Sequence, residues 1–272
     1  MKTAFTTLAC PTLSFEELIL LAERNGMDAV EIRLDSKERP CGLPDEKLSE
    51  ARAFAEAHGV QISDLATGIS VKGWSEFELF RMALCAKRAA ALGARGIRIF
   101  LGKGVKYFTD PIERDLDGVA RTLRKGAEVV AEYGVELWVE THSDYSTGEV
   151  IADLLSRVDD ARIRVIWDVI HSVEWKESPA LTVALLGDRI VHVHLKDGTR
   201  PADPNLTAYD LCALGKGHLD FSEVRRVLDD IGYDGYLSLE WEAMWHPELS
   251  ECYPSTDALL AAYKELLNQH FA

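Results

Sequence analysis

The 272 residues are 47% hydrophobic and 28% charged, the balance of an ordinary globular chain with enough apolar residues for a sizeable core. A formal net charge of −15 opposes binding to nucleic-acid phosphates or anionic lipid, and no apolar run approaches the roughly 20 residues of a membrane span. Five scattered cysteines with no C-x-x-C spacing read as reduced thiols of a cytoplasmic protein.

The opening MKTAFTTLAC has too short an apolar stretch for a leader, with Pro11 directly after Cys10, and reads as a first strand over Thr3–Ala9. A helix near Ser14–Asn25 follows, then a strand over Ala29–Leu34, a helix over Asp45–His58, a strand over Val60–Ala66 and a helix over Ser75–Leu92. The pattern continues with strand Gly96–Leu101, helix Pro111–Tyr133, strand Val135–Glu140, helix Thr147–Val158, strand Ile163–Asp168 and helix Pro179–Leu186. It ends with strand Ile190–Leu195, helix Phe221–Ile231, strand Tyr236–Glu240 and helix Pro254–Asn268. Gly59, Gly93, Gly134 and Gly232 stand where helices give way to the next segment, as C-terminal caps do. Eight strands alternating with eight helices, with no proline- or glycine-rich linker, predict one (β/α)8 TIM-barrel domain over residues 1–272. An open doubly wound sheet would place a glycine-rich phosphate turn after the first strand, where this chain has Ala9-Cys10-Pro11-Thr12.

In such barrels the chemistry sits at the C-terminal ends of the strands. Strand five ends VELWVETH, placing Glu140 and then His142 there, and strand six ends in Asp168 with His171 three residues on. Strand seven, VHVHLKD, puts His192, His194 and Lys196 on one face by two-residue alternation, and strand eight, YLSLEWE, ends at Glu240 with Glu242 next on that face. A carboxylate that closes a buried strand needs a partner, and four neighbouring strands that end in carboxylates and imidazoles supply one if they share a cation. Glu140, Asp168, His194 and Glu240 form a mixed oxygen and nitrogen set suited to one divalent ion, Mn²⁺ first, with Mg²⁺, Co²⁺ or Zn²⁺ as alternatives. Lys196 is expected in the same cavity, His142 beside the ligands, and His192 a pleat deeper as a hydrogen-bonded core histidine. Glu31 and Arg33 share the inward face of strand two, either as a functional pair or as an internal ion pair. The glycines of Leu214-Gly215-Lys216-Gly217-His218 suit either amides that approach a substrate oxygen or a tight turn before the Asp220-led helix. Trp74, Trp245 and His246 follow strands three and eight, as aromatic walls or as packing residues.

These motifs, VELWVETH, IWDVIH, VHVHLKD, GKGHLDF and LSLEWE, together with AVEIR near strand two, resemble the xylose-isomerase-like sugar isomerase and epimerase superfamily. The likeness is nearest to ketose 3-epimerases and inosose dehydratases, and extends more distantly to endonuclease IV. By position it implies Glu140, Asp168, His194 and Glu240 as the metal ligands, with His171 and Arg200 as substrate contacts. Ser146 stands where the ketose epimerases carry an acidic residue, and strand seven continues as Lys196-Asp197, closer to the broader isomerase branch.

The reaction expected of such a site is metal-dependent isomerisation or epimerisation of a keto-sugar or related polyol through an enediolate, with Glu140 and Glu240 as acid and base. His142, His171, Lys196 and Arg200 would bind the small carbohydrate. A lyase that eliminates a β-leaving group from a keto-sugar, keto-inositol or 3-keto-glycoside is the alternative. Phosphodiester hydrolysis would require more metal-binding histidines and a basic groove, and the acidic charge opposes it. No nucleic-acid or membrane partner is expected, and a homo-oligomer is compatible with the sequence.

Overall fold

A computed structural model describes residues 1–271. Strand β1 (Lys2–Thr6) pairs in parallel with both β2 (Ala29–Arg33) and β10 (Tyr236–Leu239), and this double pairing closes the sheet. Around the closed barrel the order continues from β2 through β3 (Gln61–Val71), β4 (Gly96–Leu101), β5 (Glu136–Glu140), β6 (Ile163–Asp168) and β7 (Ile190–Leu195) to β10. The outer ring holds α1 (Phe15–Arg24), α2 (Leu48–Ala57), α3 (Glu76–Leu92), α4 (Leu116–Ala131), α5 (Gly148–Val158), α7 (Pro179–Leu186), α8 (Phe221–Asp230) and α9 (Thr256–His270). The TIM barrel expected from the sequence is therefore the observed fold.

Helix ends follow local chemistry. Ser14 accepts from the Glu17 amide while the Glu17 carboxylate takes the Ser14 amide, a reciprocal cap that starts α1. Gly93 ends α3 at φ +84°, a conformation that costs a Cβ-bearing residue energy, and Gly59, Gly134 and Gly232 are likewise left-handed.

Several elements differ from the sequence expectation. The fourth helix begins at Leu116, not Pro111, because Asp115 caps it by accepting from the Gly118 amide. The second helix loses its first residues to a 3₁₀ turn over Asp45–Lys47. Strand β3 runs five residues past Ala66, with a register shift against β4 between Ala66 and Ser70. A short helix, α6 (Val169–Glu174), follows β6 directly, and the long connection after β7 contains an antiparallel pair, β8 (Gly198–Thr199) and β9 (Asp210–Leu211). Among the described residues no helix is long and apolar enough to cross a membrane.

Inside the barrel Trp138 is fully buried, with its ring 5.8 Å from that of His192. It fits because β4 begins with Gly96, where a Cβ would lie 2.5 Å from the Trp138 ring. Gly96→Ala is therefore expected to destabilise the barrel by about 1–3 kcal/mol, an overpacking cost, measured by denaturant unfolding. An unchanged midpoint would show that the Trp138 layer yields without strain.

Candidate metal centre

Parallel register places the strand ends level. Asp168 pairs with His194 and Ser238 with His194, so the ends of β6, β7 and β10 reach one height. Glu140 closes β5, Asp168 closes β6, His194 is the penultimate residue of β7 and Glu240 follows β10 directly. Each offers one ligand atom, and all four atoms lie within 4.8 Å of one another. From His194 Nδ1 the nearest carboxylate oxygens of Glu240, Glu140 and Asp168 are 3.6, 3.9 and 3.9 Å away. All four residues are buried.

The orientation of His194 is settled from beneath. One carboxylate oxygen of Glu31, Oε2, lies 2.8 Å from His194 Nε2 and 3.0 Å from His192 Nε2. Burial raises the Glu31 pKa, but the two imidazoles outweigh it and hold the group below its usual range. An ionised carboxylate only accepts, so both Nε2 atoms carry the proton and His194 presents Nδ1 to the carboxylates above. The Glu31–Arg33 pair is thus not an ion pair: Glu31 serves the histidines. His192 is the buried, hydrogen-bonded core residue expected.

Lys196 enters the same cluster. Its Nζ is 2.6 Å from Glu240 Oε2, 2.6 Å from Glu242 Oε1 and 2.8 Å from Asp168 Oδ2. On the far side the Arg98 guanidinium from β4 lies 2.9 Å from Glu140 Oε2. Arg98 escaped the sequence reading, although a lone arginine within the apolar run GIRIFL is a visible signal.

The electrostatics show an excess of negative charge. Four buried carboxylates (Glu31, Glu140, Asp168 and Glu240) face two fixed buried cations (Arg98 and Lys196). Burial pushes the Glu140 pKa up to about 7 against the pull of Arg98, and burial also raises Asp168 despite His171 and Lys196. Glu240, although buried, is held well below the carboxylate range by Lys196 and His194. Burial disfavours the His194 cation, yet Glu31 and Glu240 raise its pKa well above the usual histidine value. Protons on His194 and Glu140 therefore supply positive charge that a divalent ion would also supply. Asp168 Oδ1 and His194 Nδ1 have no hydrogen-bond partner, although both are buried. The donor set and these orphaned atoms fit a single divalent cation held by Glu140, Asp168, His194 and Glu240.

Around this centre the other predicted residues divide. His171 Nε2 is 3.3 Å from Asp168 Oδ2, and its Nδ1 is 2.7 Å from Glu174 Oε2. Burial lowers its pKa, but Asp168 and Glu174 prevail and raise it to about 9. His142 packs between the rings of Phe100 and His171 at 4.7 and 4.6 Å, and burial keeps its pKa well below the usual value. Arg200 does not join them. The β8–β9 pair carries it outward, its amide donates to His218 Nδ1 and its side chain to the exposed Tyr209 hydroxyl. It lines a separate cavity of about 460 Å³ with Phe108, Glu174 and Lys176.

The glycines before α8 also have a structural role. The Asp197 carboxylate accepts from the amides of Gly198, Gly217 and Leu219, and a Cβ at Gly217 would fall 2.0 Å from Asp197 Oδ1. These amides face Asp197, so the tight-turn reading holds. Ser146 is buried and donates to the Ser143 carbonyl. Trp74 lies against Arg121, and His246 against Glu248.

A closed parallel barrel of eight strands with helices between them places the chain in the TIM-barrel class. The description of the xylose isomerase-like TIM barrel family matches residues 19–264, and the chain belongs to that family. It is 29% identical over 154 residues to an inosose dehydratase of Lactiplantibacillus plantarum, a match covering 52% of this chain and 50% of that protein. The chain spans about half the length of the curated relatives it matches. Its fold resembles the IolI protein crystallised with a bound zinc atom, with TM-score 0.81, 17% identity and both chains covered in full. D-psicose 3-epimerase from Clostridium cellulolyticum H10, solved with D-tagatose, superposes with TM-score 0.77 and 17% identity over 100% of this chain and 98% of that one.

Two outcomes are expected of metal titration. Asp168→Asn should keep the fold and lose most bound metal, and unchanged metal content by elemental analysis would remove Asp168 from the ligand set. Metal must displace the protons on His194 and Glu140, whose pKa values are raised, so affinity should rise with pH through about 7. Calorimetry in buffers of different ionisation enthalpy reads this directly, and zero proton release at pH 6 would contradict it.

Proposed function

We propose that the chain is a divalent-metal-dependent enzyme that moves a proton at the carbon next to the carbonyl of a keto-sugar, keto-inositol or related polyhydroxy ketone, as an isomerase or epimerase. The observation that carries this reading is the convergence of Glu140, Asp168, His194 and Glu240 within 4.8 Å. A divalent ion there, Mn²⁺ by preference, supplies Lewis-acid polarisation of a carbonyl and its neighbouring hydroxyl.

The chain's own residues do the rest. Glu140 and Glu240 stand three strands apart around the barrel, on β5 and just past β10. A substrate between them meets a carboxylate on either side, so one glutamate takes the proton and the other returns one. Lys196 presents a buried ammonium, fixed by Asp168, Glu240 and Glu242, to the oxygen on which negative charge develops. His142 and His171 offer ring nitrogens to substrate hydroxyls. A small carbohydrate partner suits this enclosed, acidic site, and a long polyanion does not.

Elimination on the same site is the second reading. The inosose dehydratases among the relatives favour it, as does His171, whose raised pKa keeps it protonated as a donor to a departing hydroxyl. In both readings the first step is the same proton abstraction.

Incubation of the metal-loaded protein with ketoses, inososes and 3-keto-glycosides in D₂O should place deuterium next to the carbonyl of its substrate. Loss of water in the product mass then marks the lyase, and retention marks the isomerase. Metal-dependent cleavage of abasic DNA, with no deuterium in any candidate, would overturn the proposal. Glu140→Gln and Glu240→Gln should each lower turnover by about 10² to 10⁴, the range of general acid–base catalysis. If either variant turns over at the wild-type rate when loaded with metal, that glutamate serves structure alone. Lys196→Met should slow deuterium exchange more than it raises the substrate's dissociation constant.

A further inference from the structure

Arg33 closes β2 two residues beyond Glu31, on the same inward face. Two residues of strand span about 6–7 Å, so Arg33 stands one step above the carboxylate that orients His194. The other two cations of the barrel mouth are matched: Arg98 by Glu140, and Lys196 by Asp168, Glu240 and Glu242. Arg33 is partly buried, yet among the described residues its guanidinium has no carboxylate within 4.0 Å and no hydrogen-bond acceptor; its backbone amide donates to the Thr7 hydroxyl. The face of the guanidinium is covered by Trp245, with the ring centroid 5.2 Å away. Stacking of this kind fixes the plane and leaves the N–H edge open.

Arg33 lines a cavity of about 460 Å³ between the ends of β1 and β2 and the segment after β10, which contributes Met244. Two carboxylates in its wall are engaged elsewhere: Glu17 on the Ser14 amide and hydroxyl, and Asp35 on the amides of Lys37 and Arg39. The cavity thus holds one unmatched, pre-oriented guanidinium, on the residue that follows Glu31 by two on the inward face of β2. Arg33 also feels Glu240, Glu140 and Glu242 across the mouth, although burial and Arg98 together lower its pKa.

We propose that Arg33 and this cavity form an anion subsite, so that the substrate is a polyhydroxy ketone carrying a carboxylate or phosphoryl group away from its keto carbon. The planar fork takes two anionic oxygens at once, and Trp245 holds it flat against the cavity. An acidic protein would otherwise repel such a substrate, and an unmatched guanidinium at the mouth is what overcomes that repulsion. The assignment of a polyhydroxy ketone rests on the function proposed above; the anion subsite does not.

Two measurements separate the two. The first compares wild type, Arg33→Met and Arg33→Lys, all metal-loaded, for deuterium exchange into D-fructose, D-fructuronate and D-fructose 6-phosphate. In wild type kcat/KM for a charged member should exceed that for the neutral one, and Arg33→Met should lower this ratio at least about tenfold, the scale of a charge-assisted hydrogen bond. The loss should appear in KM more than in kcat, with partial recovery in Arg33→Lys, and whichever charged member is preferred identifies carboxylate or phosphate. The second measures direct binding of D-glucuronate, D-glucose 6-phosphate and D-glucose by calorimetry. Binding of an anion to wild type that is lost in Arg33→Met sustains the subsite even if no ketone exchanges deuterium, in which case the enolate chemistry fails alone. Equal affinity of wild type and Arg33→Met for every anion, or preference of wild type for the neutral member of each series, overturns the subsite.

Discussion

Everything at the mouth of this barrel depends on keeping several carboxylates ionised where water is excluded. Isolated charges in such a place cost many kcal/mol, so each must be matched by a cation, a proton or a donor. The matching here is done by residues from different strands. Arg98 on β4 answers Glu140 on β5, Lys196 after β7 answers Asp168 on β6 and Glu240 after β10, and His194 on β7 is tied to Glu31 on β2. The first three join neighbouring strands, and closure of the barrel is the condition for the last. In an open sheet β2 and β7 would not face each other, and Glu31 would be an unmatched buried charge.

The constraint also explains which parts of the molecule were legible in its sequence. Strands and their order follow from two-residue and helical periodicities, which are local, and the ends of β5, β6, β7 and β10 follow from carboxylates that interrupt apolar runs. Glu140, Asp168, His194 and Glu240 were visible for that reason. What periodicity does not encode is who answers whom across the barrel. The partner of Glu31 is 163 residues away at His194, so its natural sequence neighbour Arg33 suggests an ion pair that the structure does not form. Arg200, implied by resemblance alone, lies outside this cluster: it follows β8 of the β8–β9 pair, and its side chain donates to the Tyr209 hydroxyl. The early start assigned to α4 ignored Asp115, whose side chain offers the Gly118 amide a bond that helical geometry at Pro111 could not supply.

Two layers of polar groups result, and they have different chemistry. In the lower layer Glu31, His192 and His194 form a closed set in which a single carboxylate oxygen accepts from two imidazoles. Its members are buried, with Ser238 also donating to Glu31 Oε2 and the Trp138 ring beside His192. The upper layer is the opposite. Lys196 lies within 2.8 Å of three carboxylates at once, and His171 touches both Asp168 and Glu174, so each cation there faces more than one carboxylate. A buried layer beneath a densely charged one suits the proton transfer proposed above, which needs the reacting groups held in fixed positions.

The same division accounts for the unequal glutamates. Glu140 and Glu240 are both buried and both near His194, yet their pKa values move in opposite directions. Arg98 touches Glu140 through one guanidinium nitrogen, and burial outweighs that contact. Glu240 receives the Lys196 ammonium at 2.6 Å together with the field of His194, and there burial loses. The asymmetry arises because a lysine two residues past His194 leans toward β10 and away from β5. Two carboxylates driven apart in this way suit the acid and base roles proposed for them, and the inequality is set by the side of the barrel on which Lys196 lies.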